Sequence, residues 1–143
     1  MMNYLSIDEA LDVHTKTIDY SKGGTYGALE LGKLESVLAN IQNDDYYPSL
    51  CDKLTHLFFC ACKFHCFEDG NKRIAITLCV KLLIKNNYTL LANKFMQQTE
   101  NISYFVAAGK IDKDFLHEII EAIISDNFTD NLNLKLKLYE KIK

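Results

Sequence analysis

The sequence predicts an all-α bundle of about six helices with one short β-hairpin or ordered loop inserted after the first. Three observations predict it. Apolar residues return at helical intervals in segment after segment, and Ser, Asn and Asp stand where helix caps belong. Three of the six glycines, Gly23, Gly24 and Gly27, fall together in the one stretch that breaks this spacing. At 143 residues, 48% of them hydrophobic and 24% charged, the chain is long enough for one domain with a real core.

The elements follow in order. Ser6-Ile7-Asp8-Glu9 is a capping box, and Ala10, Leu11, Val13 and Ile18 carry a helix from Ile7 to Tyr20. Small and aromatic residues then alternate across Lys22 to Leu29, the candidate hairpin or ordered loop. Leu31, Leu34, Leu38 and Ile41 give a second helix, which the turn-forming stretch from Asp44 to Pro48 ends. Ser49 caps a third helix through Leu54, Leu57, Phe58, Ala61 and Phe64, and a fourth runs from Asn71 to Asn86 through Ile74, Leu78, Leu82 and Leu83. Both are too apolar for the surface and are expected to form a central hairpin. Asn86-Asn87 closes the fourth helix, a fifth runs from about Asn93 to Ala108 and stops at Gly109, and Asp112 caps a sixth through Ile124. Residues 1–124 are thus the domain, and 125–143 an extension packed on it. In that extension Leu132, Leu134, Leu136 and Leu138 alternate as in a strand, while Phe128, Leu132, Leu136 and Tyr139 fit a helix. Helix is the preferred reading. Lys135, Lys137, Lys141 and Lys143 make it a solvated basic face or, alternatively, an added contact surface.

The densest chemistry lies at the corner between the third and fourth helices, His65-Cys66-Phe67-Glu68-Asp69-Gly70-Asn71-Lys72-Arg73. Gly70 permits the positive φ that such a corner often needs, and Asn71 is a favoured N-cap. Free N–H groups at a helix start attract anions, and Lys72 and Arg73 add charge there, so a phosphate is the natural guest. His65 can take a proton from an attacking hydroxyl near neutral pH, and Asp69 offers hard oxygen suited to magnesium. Together these parts point to phosphoryl or nucleotidyl transfer. Taken singly, His65 would be a structural histidine and Arg73 a partner of Glu68. The spacing of the set favours the site.

His65-x-Phe67-x-Asp69-Gly70-Asn71-Lys72-Arg73 resembles the H-x-F-x-[DE]-G-N-[GK]-R motif of the Fic/Doc family. The resemblance spans roughly residues 4 to 124. Gly23-Gly24 and Leu34-Glu35-Ser36 are similar to the upstream pattern of Doc, and Gly109-Lys110-Ile111-Asp112 with Phe115-Leu116 to its C-terminal helix pair. The resemblance implies a Fic/Doc-like helical bundle in which His65 is the general base, Asp69 holds Mg2+, and Gly70, Asn71, Lys72 and Arg73 bind the phosphates of ATP. Phe67 would anchor the loop. Residues 22–29 would be the flap, which aligns the target's backbone by strand addition, with Tyr26 as a contact.

The departures select a branch. Adenylylating Fic enzymes commonly have glycine at the position of Lys72 and a second arginine at that of Ile76, whereas the Doc branch shares Asn-Lys-Arg. Cys66 stands in place of a frequent proline. The expected reaction is therefore Doc-like: phosphate from ATP to a Ser, Thr or Tyr hydroxyl of a protein such as elongation factor Tu, with His65, Asp69, Lys72 and Arg73 as the catalytic set. The alternatives are Fic-type adenylylation and a non-catalytic nucleotide- or partner-binding module. The inhibitory segment [ST]-x-x-x-E-[GN] of many Fic proteins does not occur in the chain. That implies an antitoxin protein inhibiting in trans, with a helix in a groove left open on the bundle.

The remaining features are mostly exclusions. A net charge of −3 disfavours a nucleic-acid partner, which calls for a basic face. The N-terminus lacks signal-peptide character and no apolar stretch nears spanning length, so cytoplasmic residence and no membrane are expected. The five cysteines fit a reducing compartment. Cys60, Cys62, His65 and Cys66 suggest zinc, but residues two apart on a helix diverge by roughly 200°, and buried thiols are the preferred reading. His14, His56 and His117 lack chemical company in sequence, and His56 reads as a core or helix-surface residue.

Overall fold

A computed structural model of the chain describes residues 1–21, 31–63 and 71–143, with backbone alone for 18–21 and 71. Among the described residues all regular structure is helical. The elements are α1 (Ile7–Ser21), α2 (Leu31–Asn40), α3 (Leu50–Lys63), α4 (Asn71–Lys85), α5 (Thr89–Thr99), α6 (Ile102–Ala107), α7 (Lys113–Ile124) and α8 (Leu132–Ile142). The expected hairpin at 22–29 lies outside the described residues.

The starts of these helices are chemical. Ser6 and Glu9 exchange backbone-to-side-chain bonds of 3.1 Å each, a complete capping box. Ser49 and Asp52 repeat the arrangement at α3, with Asp52 N–H donating to Ser49 Oγ and Ser49 N–H to Asp52 Oδ2, each at 3.1 Å. Asp112 Oδ1 accepts from Phe115 N–H at 2.8 Å to start α7, and Asn131 Oδ1 from Leu134 N–H at 3.1 Å to start α8. The ends use left-handed residues: Asn87 (φ 67°), Gly109 (φ 80°) and Asp126 (φ 59°). At Gly109, Lys110 N–H reaches Phe105 O at 2.9 Å and Gly109 N–H reaches Val106 O at 3.1 Å, which satisfies the last carbonyls of α6.

Two expectations need correction. The fifth helix is two helices, α5 beginning at Thr89 and α6 at Ile102, which brings the number to eight among the described residues. Thr99 Oγ1 donates to Phe95 O at 2.7 Å, and Glu100 and Asn101 form the turn that follows. A hydroxyl competing for the helical acceptor and Asn101, a poor helix former two residues on, end the ladder there. The second correction concerns α8. It is a helix, but the buried residue is Leu134, with Leu138 packed beside it, while Leu132, Leu136 and Tyr139 of the expected apolar stripe are exposed.

The core is built on the α3–α4 hairpin. Leu54, Leu57 and Phe58 of α3 and Ile74, Ala75, Leu78, Cys79, Leu82 and Leu83 of α4 are wholly buried. Around them α3 packs on α2, α6 and α7, and α4 on α1, α5 and α6. Phe58 meets Phe95 of α5 edge-to-face at 6.0 Å. Two lysines tie the periphery to this hairpin. Buried Lys53 donates to Ile41 O and Asp44 Oδ1, both at 2.7 Å. Lys85 donates to Tyr4 O at 2.9 Å and to Glu9 at 2.6 and 2.8 Å, and this bond holds the Glu9 carboxyl below its usual range.

Candidate active site

The corner between α3 and α4 is gripped from both sides. Cys60, Ala61 and Cys62 bury the last turn of α3, and Ile74 and Ala75 bury the first turn of α4. Thr77 adds a tie, its Oγ1 donating to Arg73 O at 3.2 Å and lying 3.1 Å from Thr17 Oγ1 of α1. Lys72 and Arg73, on the solvent side of that turn, are exposed. Two cations on the first turn of a helix, where backbone N–H groups lack helical partners, fit a polyphosphate. His65, Cys66, Phe67, Glu68, Asp69 and Gly70 lie outside the described residues, and Asn71 is the first residue of α4 rather than its cap.

Beside Arg73 runs a groove that single residues did not foretell. It encloses about 750 Å³ between α1, α4 and the end of α5. Val13, Ile76, Val80 and Met96 line its apolar part, and Asp12, Lys16, Lys81 and Glu100 add charge. Ile76, singled out in sequence as a missing arginine, is thus half-buried on an apolar wall. The signal for the groove was present but diffuse: apolar positions on α1 and α4 in excess of those the core absorbs.

The other histidines divide. His56 is a core residue, as one of its two readings had it. Its Nδ1 accepts from Lys113 Nζ at 2.9 Å and lies 3.6 Å from Cys60 Sγ, and its ring stacks obliquely on Tyr47 at 4.4 Å. Burial, then the Lys113 charge, lowers its pKa to about 4. His117 does have company, contrary to the reading from sequence: Nε2 lies 2.8 Å from Asp52 Oδ1. Cys60 faces His56, whereas Cys62 donates to Ser103 O at 3.7 Å, so the two thiols serve different neighbours. Burial pushes the Cys62 thiol up to about 12, as it does that of Cys51, so each is held as the protonated thiol unless a cation displaces the proton.

An all-helical bundle with a cationic helix start at a charged, glycine-containing corner defines a candidate phosphate-handling protein. The family model described as Fic/DOC family matches residues 4–83, from before α1 to the last turns of α4 and across the whole corner. The chain belongs to the Fic/DOC family, whose members are typically transferases of phosphate or AMP. Comparison with curated proteins returned no match. The part similar to the C-terminal helix pair of Doc, Gly109 to Leu116, lies beyond the matched residues. No helix among the described residues is long and apolar enough to cross a membrane.

Proposed function

We propose that the chain is a Doc-like toxin that transfers a phosphate from ATP to a Ser, Thr or Tyr hydroxyl of a protein target such as elongation factor Tu. The observation that carries this reading is the side chain of Lys72, exposed on the first turn of α4 where adenylylating relatives commonly have glycine. Ile76, one turn further on, supports it, because a position that would carry a second anion clamp is apolar. When bound, ATP with Mg2+ supplies the phosphoryl group. The chain's own residues do the rest. His65 takes the proton of the acceptor hydroxyl, Asp69 would hold the magnesium, and Gly70, Asn71, Lys72 and Arg73 hold and orient the phosphates. Positioning and charge neutralisation account for most of the catalysis in such transfers, which suits a site made of one base, one carboxylate and a cationic helix start.

An unregulated enzyme of this kind would harm its host, and the groove beside Arg73 is suited to an inhibitor. Its apolar wall and charged residues match one face of an amphipathic helix, so an antitoxin helix lying there would cover the phosphate anchor. Purification with the native neighbouring protein should recover a stable complex.

The family match alone also accommodates AMP transfer by the same His65 and Asp69, and the two reactions separate cleanly. With ATP labelled at the γ-phosphorus the target should become radioactive, and with label at the α-phosphorus it should not. Label from the α position would replace the kinase reading with adenylylation. His65→Ala should slow transfer by about 10²- to 10⁴-fold, the usual cost of losing a general base. Equal toxicity of wild type and His65→Ala would instead mark a binding module without turnover.

A further inference from the structure

At the opposite end of α3 from the corner, the fold assembles a set of donors that sequence separates by seventy positions. Cys51, in the first turn of α3, meets His117 and Glu121, four residues apart on one face of α7. The sulfur, an imidazole nitrogen and a carboxylate oxygen lie within 4.8 Å of one another. Magnesium and calcium prefer oxygen alone, whereas thiolate, imidazole and carboxylate together are the ligands of zinc and its neighbours.

The imidazole is already oriented. His117 Nε2 lies 2.8 Å from Asp52 Oδ1, while Asp52 Oδ2 accepts from Ser49 N–H at 3.1 Å and Ser49 O–H at 2.8 Å. A carboxylate on one ring nitrogen sets the tautomer and leaves the other nitrogen with a lone pair for an ion. Ser49 and Asp52 are also the capping pair of α3, so the residues that begin the helix bearing Cys51 also aim His117. Access exists as well. His117 and Glu121 line a cavity of about 400 Å³ between α7 and α8, which Asn127, Asn131 and Lys137 help enclose.

We propose that Cys51, His117 and Glu121 form a site for a zinc-class divalent cation that ties α3 to α7, with Asp52 as a positioning residue. Tetrahedral bonds of about 2.0–2.3 Å place ligand atoms roughly 3.5 Å apart, a closure that half-buried His117 and exposed Glu121 can make by side-chain rotation. On binding, the Cys51 S–H bond breaks, a sulfur–metal bond forms and the proton leaves to solvent, with no change of oxidation state. A fourth ligand would be water, which the cavity lined by His117 and Glu121 can supply.

The test uses the full chain stripped with a chelator and titrated with Co2+, which reports thiolate ligation through its charge-transfer absorption. A single equivalent should bind with that band, Zn2+ should displace it, and Zn2+ should raise the melting temperature. Cys51→Ser should abolish the band. Glu121→Gln, at an exposed position, should weaken binding by at least roughly tenfold, since even an outer partner such as Asp52 is worth about 10- to 100-fold, the loss expected for Asp52→Asn. His65→Ala and Cys66→Ser should leave the titration unchanged, which separates this site from the corner. Absence of the band in the wild type, its persistence in Glu121→Gln at full affinity, or its loss in Cys66→Ser would overturn the proposal. Should Cys51→Ser fail to fold by circular dichroism, the Glu121→Gln and Asp52→Asn titrations decide.

Discussion

The two ends of α3 make an instructive pair. Its C-terminal end leads into nine consecutive residues whose chemistry is evident from their order, His65 to Arg73. Its N-terminal end carries Cys51 and Asp52, unremarked in sequence, which acquire meaning only against His117 and Glu121 of α7. One helix therefore borders two candidate sites, one local in the chain and the other local only in space. Contiguity reveals the first because nine successive residues carry all its parts. The second needs the α3–α7 packing, which no periodicity specifies.

Since both ends depend on one helix, its centre is where damage should reach both. Leu57 has no exposed surface, and Leu57→Ala should cost about 2–5 kcal/mol through lost burial and the cavity left behind. Denaturant unfolding should show the loss, and both phosphate transfer and cobalt binding should fail at a lower temperature than in the wild type. Loss of one function with the other keeping its wild-type thermal profile would break the comparison, because it would mean that the two ends are held independently.

His56 lies between the two ends and offers a finer probe. Its folded pKa of about 4 lies below the ordinary value of 6.5, so the unfolded chain binds the extra proton. Stability is therefore fully present above about pH 6.5 and falls as pH drops towards 4, by about 3 kcal/mol from this group over the whole window. The groups facing it are Lys113, Tyr47, Cys60 and Asn40, and none supplies a carboxylate to offset the charge. Glu9, held low by Lys85, acts in the same direction at lower pH. His56→Gln keeps an acceptor for Lys113 but cannot titrate. It should flatten the stability profile between pH 6.5 and 4, and an unchanged slope would refute the assignment.

How much of this was legible follows from the same contrast. The caps Ser6, Ser49 and Asp112, the stop at Gly109 and the buried stripes of α3 and α4 could be read because each depends on residues within one turn. The α5–α6 break escaped because Thr99 and Asn101 are only mildly unfavourable to a helix and Glu100 between them favours one. The buried face of α8 escaped because six apolar residues, Leu132, Leu134, Leu136, Leu138, Tyr139 and Ile142, are more than one face can hold. The lysines of that helix, read as a solvated face with a contact surface as the alternative, are exposed, and some also reach partners within the chain: Lys137 pairs with Glu118 at 3.2 Å, and Lys141 lies over Phe115 at 5.1 Å. At the candidate active site Lys72, Arg73 and Ile76 could be picked out by type, but the groove that Arg73 and Ile76 border is made by three helices.

The smallest effect expected is the most selective. Ser49→Ala removes the hydroxyl that receives Asp52 N–H at 3.1 Å and donates to Asp52 Oδ2 at 2.8 Å, while the backbone bond from Ser49 N–H remains. Loss of a helix cap costs typically about 1 kcal/mol, which in a domain of this size lowers the melting temperature by roughly 2–4 °C. The consequence should be confined to the N-terminal end of α3. Of its three bonds with Ser49, Asp52 would keep one, His117 would be less well aimed, and cobalt affinity should fall by less than it does in Asp52→Asn. Phosphate transfer at the corner, some fourteen residues further along a helix anchored by Leu54, Leu57 and Phe58, should be unchanged at temperatures well below melting. A Ser49→Ala protein whose transfer rate falls in step with its cobalt affinity would show that α3 couples its two ends. Equal rates with weakened cobalt binding would leave them as two sites that share a support and nothing else.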